Sequence, residues 1–356
     1  MPLALPLAVH DGLLMTTIDA PDPLVVRGTA GLLAAIPATL GFPPRDSLVQ
    51  VCLAGPRAQV GPMGRVDLDP PHGATPREYA DGVTGTLLTV ARRHADSVVL
   101  VWYRSLVDRR PPLVDAMVGA LDGAGISVRD VIAVSGGRYR HEGVSTSTPR
   151  VPPGPSYPLL GAGDPDVLRL RASAALRGRT ILGDRDDLRR SIDGPAAGAA
   201  LDRAWAEFDR CAGRAPQQLD DYAAELDLAL VECASHHSLT ARRAATIVLG
   251  LDDPALCSHL VARSVSARDE PWTAMLAACA RQTPTELAGD LCALLALVAY
   301  CDGDGALAQV AVDRSLLSRS GHSMARLLMQ VMAAGVHPDA VAARFRGAAR
   351  PSDCGR

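Results

Sequence analysis

The sequence predicts an α/β front half followed by an all-α back half. Three observations carry this. Runs rich in Val and Leu at 47–54, 60–67, 97–103 and 130–134 read as strands, and helical spacing fills the stretches before 97 and before 130. From Asp166 onward no strand pattern recurs, and helical runs follow one another to residue 346. Between the halves, Gly143 to Pro165 is rich in Ser, Thr, Pro and Gly, the composition of a linker. Strands separated by helices pair in parallel through right-handed crossovers. The front half is therefore expected to be a mixed, mostly parallel sheet flanked by helices. The expected organisation is a loose leader at 1–22, an α/β domain at 23–143, a linker at 144–165, a helical domain at 166–347 and a tail at 348–356.

Taken in order, the Pro-punctuated start is poor signal-peptide material, because it lacks a basic region and meets His10-Asp11 early. Leu24 to Val26 reads as a short edge strand. Thr29 is placed to cap a helix on which Leu32, Leu33, Ile36 and Leu40 follow helical spacing, and Gly41 with Pro43-Pro44 ends it. Ser47 to Ala54 alternates as a strand, and Gly55-Pro56 turns it into the strand ending at Asp67. Gly61-Pro62-Met63-Gly64 is weak strand material and predicts an edge or a bulge. Thr75, Pro76 and Glu78 form a capping box for a helix to about His94. Ser97 to Tyr103 is a buried-strand signal, Pro111 to Ala124 a helix closed by Gly125, and Asp130 to Val134 a second buried strand. Gly136-Gly137 turns that strand into Arg138-Tyr139-Arg140.

In the back half, helical runs are expected at 166–178, 184–192, 196–213, 217–237, 240–250, 254–265, 271–282, 285–301, 304–318, 323–335 and 338–346. The stretch 285–335, with its Ala and Leu contacts and its Asp302-Gly303-Asp304-Gly305 turn, suggests a tetratricopeptide-like helical-hairpin array, although the large aromatics of that repeat are mostly missing.

Composition excludes several chemistries. There is no Lys and no Asn in the 356 residues, so all 36 basic residues are Arg, the usage of a GC-rich genome. Schiff-base catalysis, lysine-anchored pyridoxal phosphate and the Walker A nucleotide loop all need a Lys that is absent. A net charge of −3 with mixed signs is not the footprint of a general nucleic-acid binder. The densest apolar run, Leu291 to Cys301, is far shorter than the roughly 20 residues of a membrane span. The scattered cysteines read as small hydrophobes in a reduced cytoplasmic protein.

A ligand in an open α/β sheet binds beyond the carboxyl ends of its parallel strands. If strand 60–67 points the same way as 97–103 and 130–134, then Asp46, Ser47, Asp67, Arg104, Gly136, Gly137 and Arg138 share one rim. Arg104 and Arg138 would grip an anion bidentately, the glycines would let backbone approach it, and Asp46 with Asp67 would form a carboxylate pair. Competing readings are local: a turn cap at Asp46-Ser47, ion pairs among Arg65, Asp67 and Arg104, and a plain Gly136-Gly137 hairpin. Cys233, His236, His237, Cys257 and His259 could be assembled into a zinc site, but their spacing matches no finger pattern. The DGDG loop is too short for calcium and lacks the distal Glu. Trp102, Trp205 and Trp272 read as core anchors, and Asp184 to Arg190 as a solvated helical face.

Residues 32–53, 64–68 (GRVDL), 130–142 (DVIAVSGGRYRHE), 294–316, 322–328 (HSMARLL) and 335–338 (GVHP) together resemble an actinobacterial family, domain of unknown function 4192, over roughly 24 to 340. The resemblance implies a cytosolic protein with an α/β front half and a helical back half, and implies no activity or catalytic residues. The Gly-Pro-Met-Gly segment departs from the apolar strand expected of relatives.

The reading these signals support is a binding, regulatory or scaffold protein. The helical half is expected to present a surface to a protein partner, and the α/β half to hold a small anionic ligand. The alternative is an enzyme acting on a phosphorylated or nucleotide-like metabolite. A DNA-binding regulator would require Arg242, Arg243, Arg263 and Arg268 to cluster.

Overall fold

The structure is a computed structural model and describes residues 14–16, 28–105, 109–144, 155–176, 180–213, 216, 218–267 and 271–348. The expected strand at Leu24 to Val26 lies outside the described residues. The elements in chain order are β1 (Leu14–Thr16), α1 (Gly28–Leu40), β2 (Ser47–Ala54), β3 (Gln59–Asp67), α2 (Pro76–His94), β4 (Ser97–Tyr103), α3 (Pro112–Gly123), β5 (Ser127–Ser135), β6 (Arg138–Glu142) and β7 (Ser156–Pro158). Then come α4 (Pro165–Leu176), α5 (Arg185–Arg190), α6 (Ala199–Ala212), α7 (Leu219–His236), α8 (Ala241–Gly250), α9 (Pro254–Ser266) and α10 (Trp272–Gln282). A single 3-10 turn at Thr285–Leu287 precedes α11 (Gly289–Cys301), α12 (Gly305–Ser318), α13 (Ser323–Ala333) and α14 (Pro338–Ala348).

The chain forms two compact units, one of Met1–Arg185 with Met332–Gly335 and one of Asp186–Val331 with Val336–Arg356. The divide falls later than the expected linker at 144–165. β7 pairs antiparallel with β6, giving that strand's outer edge a partner, and α4 packs against α1. Both elements therefore belong to the first unit.

The sheet is mixed, in the order β1-β3-β2-β4-β5-β6-β7. The expected majority of parallel pairings is corrected: only β4 and β5 pair in parallel, and every other described pairing is antiparallel. The reason lies in the crossover after β3. α2 returns the chain to β4 pointing the same way as β3, but β4 docks beside β2. Two co-directional strands thus sit on either side of an antiparallel one. β1, inside the expected loose leader, pairs with Met63 to Arg65, so β3 is an inner strand and not an edge. The weak segment produces a bulge instead. Val51 faces Met63 while Leu53 faces Val60, leaving Gly61-Pro62 opposite Cys52 alone, where a proline's missing N–H removes no ladder bond.

One sheet face is covered by α2 and α3. Tyr79, Val83, Leu87 and Ala91 recur every four residues, as do Val114, Val118 and the neighbouring Met117 and Leu121, and all are buried against Leu48, Val66, Leu100, Trp102, Val131 and Ala133. Thr75 caps α2 as expected: its Oγ1 accepts the Glu78 N–H at 3.3 Å and donates to the Glu78 carboxylate at 2.6 Å. α1 starts at Gly28, whose φ of +66° no β-carbon penalises, so Thr29 lies inside the helix and does not cap it. On the opposite sheet face, Val49, Val51 and Val101 are fully buried.

The second unit is all helical among its described residues. α11 is buried at every residue except Asp290 and packs on α12. The DGDG segment is the turn between them, with Asp304 accepting the Leu307 N–H at 3.0 Å as the cap of α12. Trp272 is buried, whereas Trp205 is only half-buried.

Candidate functional site

The strand directions required for a shared rim are present. Register places Asp67, Ser47, Tyr103, Val134, Tyr139 and Tyr157 in one row across β3, β2, β4, β5, β6 and β7. Paired residues project to the same face, and Trp102 faces α2 and α3. The row beginning at Asp67 therefore lies on the opposite face. Two residues further in, Arg65, Val49, Val101, Ile132 and His141 form the next row on that face.

Arg65 is the unusual member. Its side chain is 5% exposed, and its Nη2 meets the Asp67 carboxylate at 2.5 Å and the Arg45 carbonyl at 3.3 Å. Its Nε and Nη1 are buried with no hydrogen-bond partner among the described residues, and so are the hydroxyls of Ser47 and Tyr103. A buried donor without a partner costs about 1–3 kcal/mol. Four such atoms lie on three adjacent strands, β3, β2 and β4. Burial draws the Arg65 guanidinium below its ordinary range; Asp67 opposes that shift and the nearby Arg185 adds to it. Burial also pushes the Tyr103 phenol up, so it remains a proton donor.

Two other elements shape the place. Tyr79 of α2 donates to the Asp67 carbonyl at 2.7 Å and fixes the end of β3. The segment before α5 is tied down by Leu182, whose N–H donates to the Gly41 carbonyl at 2.7 Å. It brings Arg185 to within 3.8 Å of the second Asp67 oxygen. The stretch expected as a solvated helical face thus sends its first arginine inward.

The expected grip by Arg104 and Arg138 is not formed. Arg104 points its fork at Asp69, at 2.7 and 2.8 Å, with Asp46 3.9 Å away. Arg138 donates to the hydroxyl and carbonyl of Ser156. Gly136 and Gly137 both have positive φ and close the β5–β6 hairpin between Ser135 and Arg138, the two-residue turn in which only such residues are at ease. They lie on the same rim, but two strands, roughly 10 Å, from Ser47. Asp46, itself at φ +41°, and Asp67 engage different arginines and do not form a carboxylate pair. Of the expected residues, Ser47 and Asp67 stand at the polar cluster. Arg65, Tyr103 and Arg185 were missed. Parity could have found Arg65, since a hairpin joining Ser47 to Asp67 sets Arg65 opposite inward-facing Val49. Nothing local marks Arg185.

Elsewhere, among the described residues no three His, Cys, Asp or Glu side chains converge as a metal site. Arg243 pairs with Glu225 and Glu232, and Arg263 with Asp227, so these arginines are committed to acidic partners, while Arg268 lies outside the described residues. Among the described residues no single helix is long and apolar enough to cross a membrane.

Cys52 and Cys292 are chemically quiet. Burial pushes Cys52 up to about 12, against a weak hydrogen bond from Gln50, and Cys292 up to about 11. A folded-state pKa above the ordinary 9 contributes stability that is complete below pH 9 and is lost as pH rises through 11 and 12. Stability measured in urea is expected to fall above pH 9 by about 1.4 kcal/mol per pH unit for each such thiol. Cys52→Ala should make the slope shallower. Iodoacetamide at pH 8 should leave both thiols unmodified until denaturant is added, and labelling of the native protein would contradict their burial.

Fold and site together define a class: a two-unit α/β-plus-α protein with a buried, donor-rich polar cluster on one sheet face. The chain belongs to the family described as domain of unknown function (DUF4192), whose profile matches residues 30–339. No curated protein and no solved structure matches it.

Proposed function

We propose that the protein acts by binding, and that its α/β unit holds a small anionic ligand at the Arg65 cluster. The single observation that carries this reading is Arg65, a buried guanidinium using one nitrogen and leaving two without partners among the described residues. An anion would supply the acceptors these groups lack and would favour the charged form of an arginine that burial disfavours. The enzyme alternative has less support, because Asp46 and Asp67 are held by different arginines.

The test is thermal unfolding in a panel of formate, acetate, phosphate and sulfate, with ionic strength balanced by chloride. At least one anion is expected to stabilise saturably, by about 2.7 kcal/mol at a hundred times its Kd. A panel without any saturable effect would remove the reading.

A protein-facing role for the helical unit rests on α7, where Ala224, Leu228 and Val231 expose an apolar stripe at helical spacing. A photo-crosslinker at Leu228 should capture a protein in the native cell, while the same group at Asp209, exposed on α6, should not. Equal yields at both positions would end that part of the reading.

A further inference from the structure

We propose that the aromatic cluster on β6 and β7 is a separate binding site, one that stacks the base of a free nucleoside or nucleotide and accepts an N–H from its edge at His141. Tyr139 and Tyr157 face each other across the two strands, with ring centroids 5.5 Å apart and planes 31° apart. His141 stands steeply to both, 5.7 Å from the Tyr139 ring and 6.1 Å from the Tyr157 ring. Tyr157 is 42% exposed and the His141 side chain 41%. Three rings thus gather at one edge of the sheet and stay open to solvent. Arg65 lies on β3, four strand positions from β6 and so roughly 19 Å away at the usual strand spacing. The site therefore stands or falls independently of the anion reading.

Ring spacing decides what the cluster can take. These centroid distances are those of rings packed on one another. A cage that holds an ammonium between aromatic faces needs the rings parted, and here they are closed up. What they offer is one continuous aromatic surface, on which a planar ring stacks from outside.

His141 adds direction. Its Nδ1 meets Asp130 Oδ2 at 2.6 Å. An ionised carboxylate only accepts, so Nδ1 carries the proton, and in the neutral ring Nε2 keeps a lone pair. A ligand edge at that nitrogen has to bring a donor. The amino group or ring N–H of a nucleobase does so, and a hydrocarbon ring does not. Charge favours a free ligand over a nucleic-acid strand, which needs basic groups along its phosphates. On β6, Arg138 is turned to Ser156 and Arg140 to Glu142, and Asp130 sets a negative charge beside the rings.

The experiment is saturation-transfer NMR of the full chain at pH 8, above the ordinary imidazole range. The probes are adenosine, N6,N6-dimethyladenosine, which keeps the purine but has no N–H on it, and a single-stranded decamer of deoxyadenosine. The proteins are the wild type, Tyr157→Leu and His141→Phe. Adenosine is expected to bind the wild type with saturation strongest on its base protons, and Tyr157→Leu to weaken it by about fivefold or more, the loss of one stacking contact. The dimethyl compound is expected to bind the wild type about fivefold weaker than adenosine, and His141→Phe to remove that difference. The comparison of the two nucleosides needs no variant, so it holds even if a substitution disturbs β7. No binding of adenosine, or binding indifferent to Tyr157→Leu, would overturn the site. Equal binding of both nucleosides to the wild type would overturn the role of His141. A decamer bound about a hundredfold tighter than adenosine and weakened by Tyr157→Leu would overturn the choice of a free ligand. A dimer in sedimentation that Tyr157→Leu dissociates would give the face to a second copy of the chain and overturn the proposal as a whole.

Discussion

Arg314→Ala is expected to lose about 3 kcal/mol or more of stability, because it removes a donor from three buried carbonyls, at about 1–3 kcal/mol for each one left unsatisfied. Arg314 is buried on α12, and its guanidinium donates to three backbone carbonyls, those of Ile192, Ala280 and Thr283. Ala280 and Thr283 lie at the C-terminal end of α10, where carbonyls have run out of helical partners. Alanine removes a donor from all three; the Ala280 carbonyl keeps the Thr283 N–H at 3.2 Å, while those of Ile192 and Thr283 lose the guanidinium. The neighbouring chain is built around this clasp: a β-carbon at Gly194 would stand 2.5 Å from the Thr283 oxygen and 2.7 Å from Arg314 Nη2. Lysine should recover little, because one ammonium cannot reach carbonyls that a planar fork spans. Urea unfolding followed by circular dichroism measures the effect, and a loss under about 1 kcal/mol would show that the carbonyls find other partners.

Trp102→Ala is expected to have a comparable effect in the first unit, about 3–5 kcal/mol. The ring is fully buried at the centre of the face under α2 and α3. Its β5 partner is Ala133, small enough to leave room for an indole. Nε1 donates to Glu142 Oε2 at 3.0 Å, tying β4 to β6 over the intervening strand. Alanine would leave both a cavity and a half-buried carboxylate short of a donor. Trp102→Phe separates the two: it keeps most of the volume and should lose about 1–2 kcal/mol. If phenylalanine proved as damaging as alanine, the hydrogen bond and not the packing would dominate.

The rim was legible because a hairpin fixes it. Gly55-Pro56 joins two strands, so Ser47 must face Asp67 whatever else the sheet does. The single βαβ unit from β4 to β5 was legible for the same reason of proximity in the chain. Neighbour order was not. β2, β4 and β5 all present nearly continuous apolar runs, and a strand buried on both faces carries no mark of who pairs with it. The pairing of Arg104 with Asp69 was hidden on a related ground. An arginine at a strand end is indistinguishable in sequence from one whose fork is spent, and Asp69, its partner, comes from a turn after a strand two positions away in the sheet.

The sequence by itself determined the local elements: the capped start of α2, the irregular strand at Gly61-Pro62, the positive-φ turn at Gly136-Gly137, the change to helices after residue 165 and the absence of any lysine chemistry. Each depends on groups within a few residues of one another, where spacing and backbone sterics suffice. Tertiary structure alone decided that Arg65 would be desolvated, that Arg185 would meet Asp67 from more than a hundred residues away, and that Ser47 and Tyr103 would lose their access to water side by side. Burial and partnership are properties of the assembled sheet and the segments laid over it, and no short window of sequence contains both sides of such a contact.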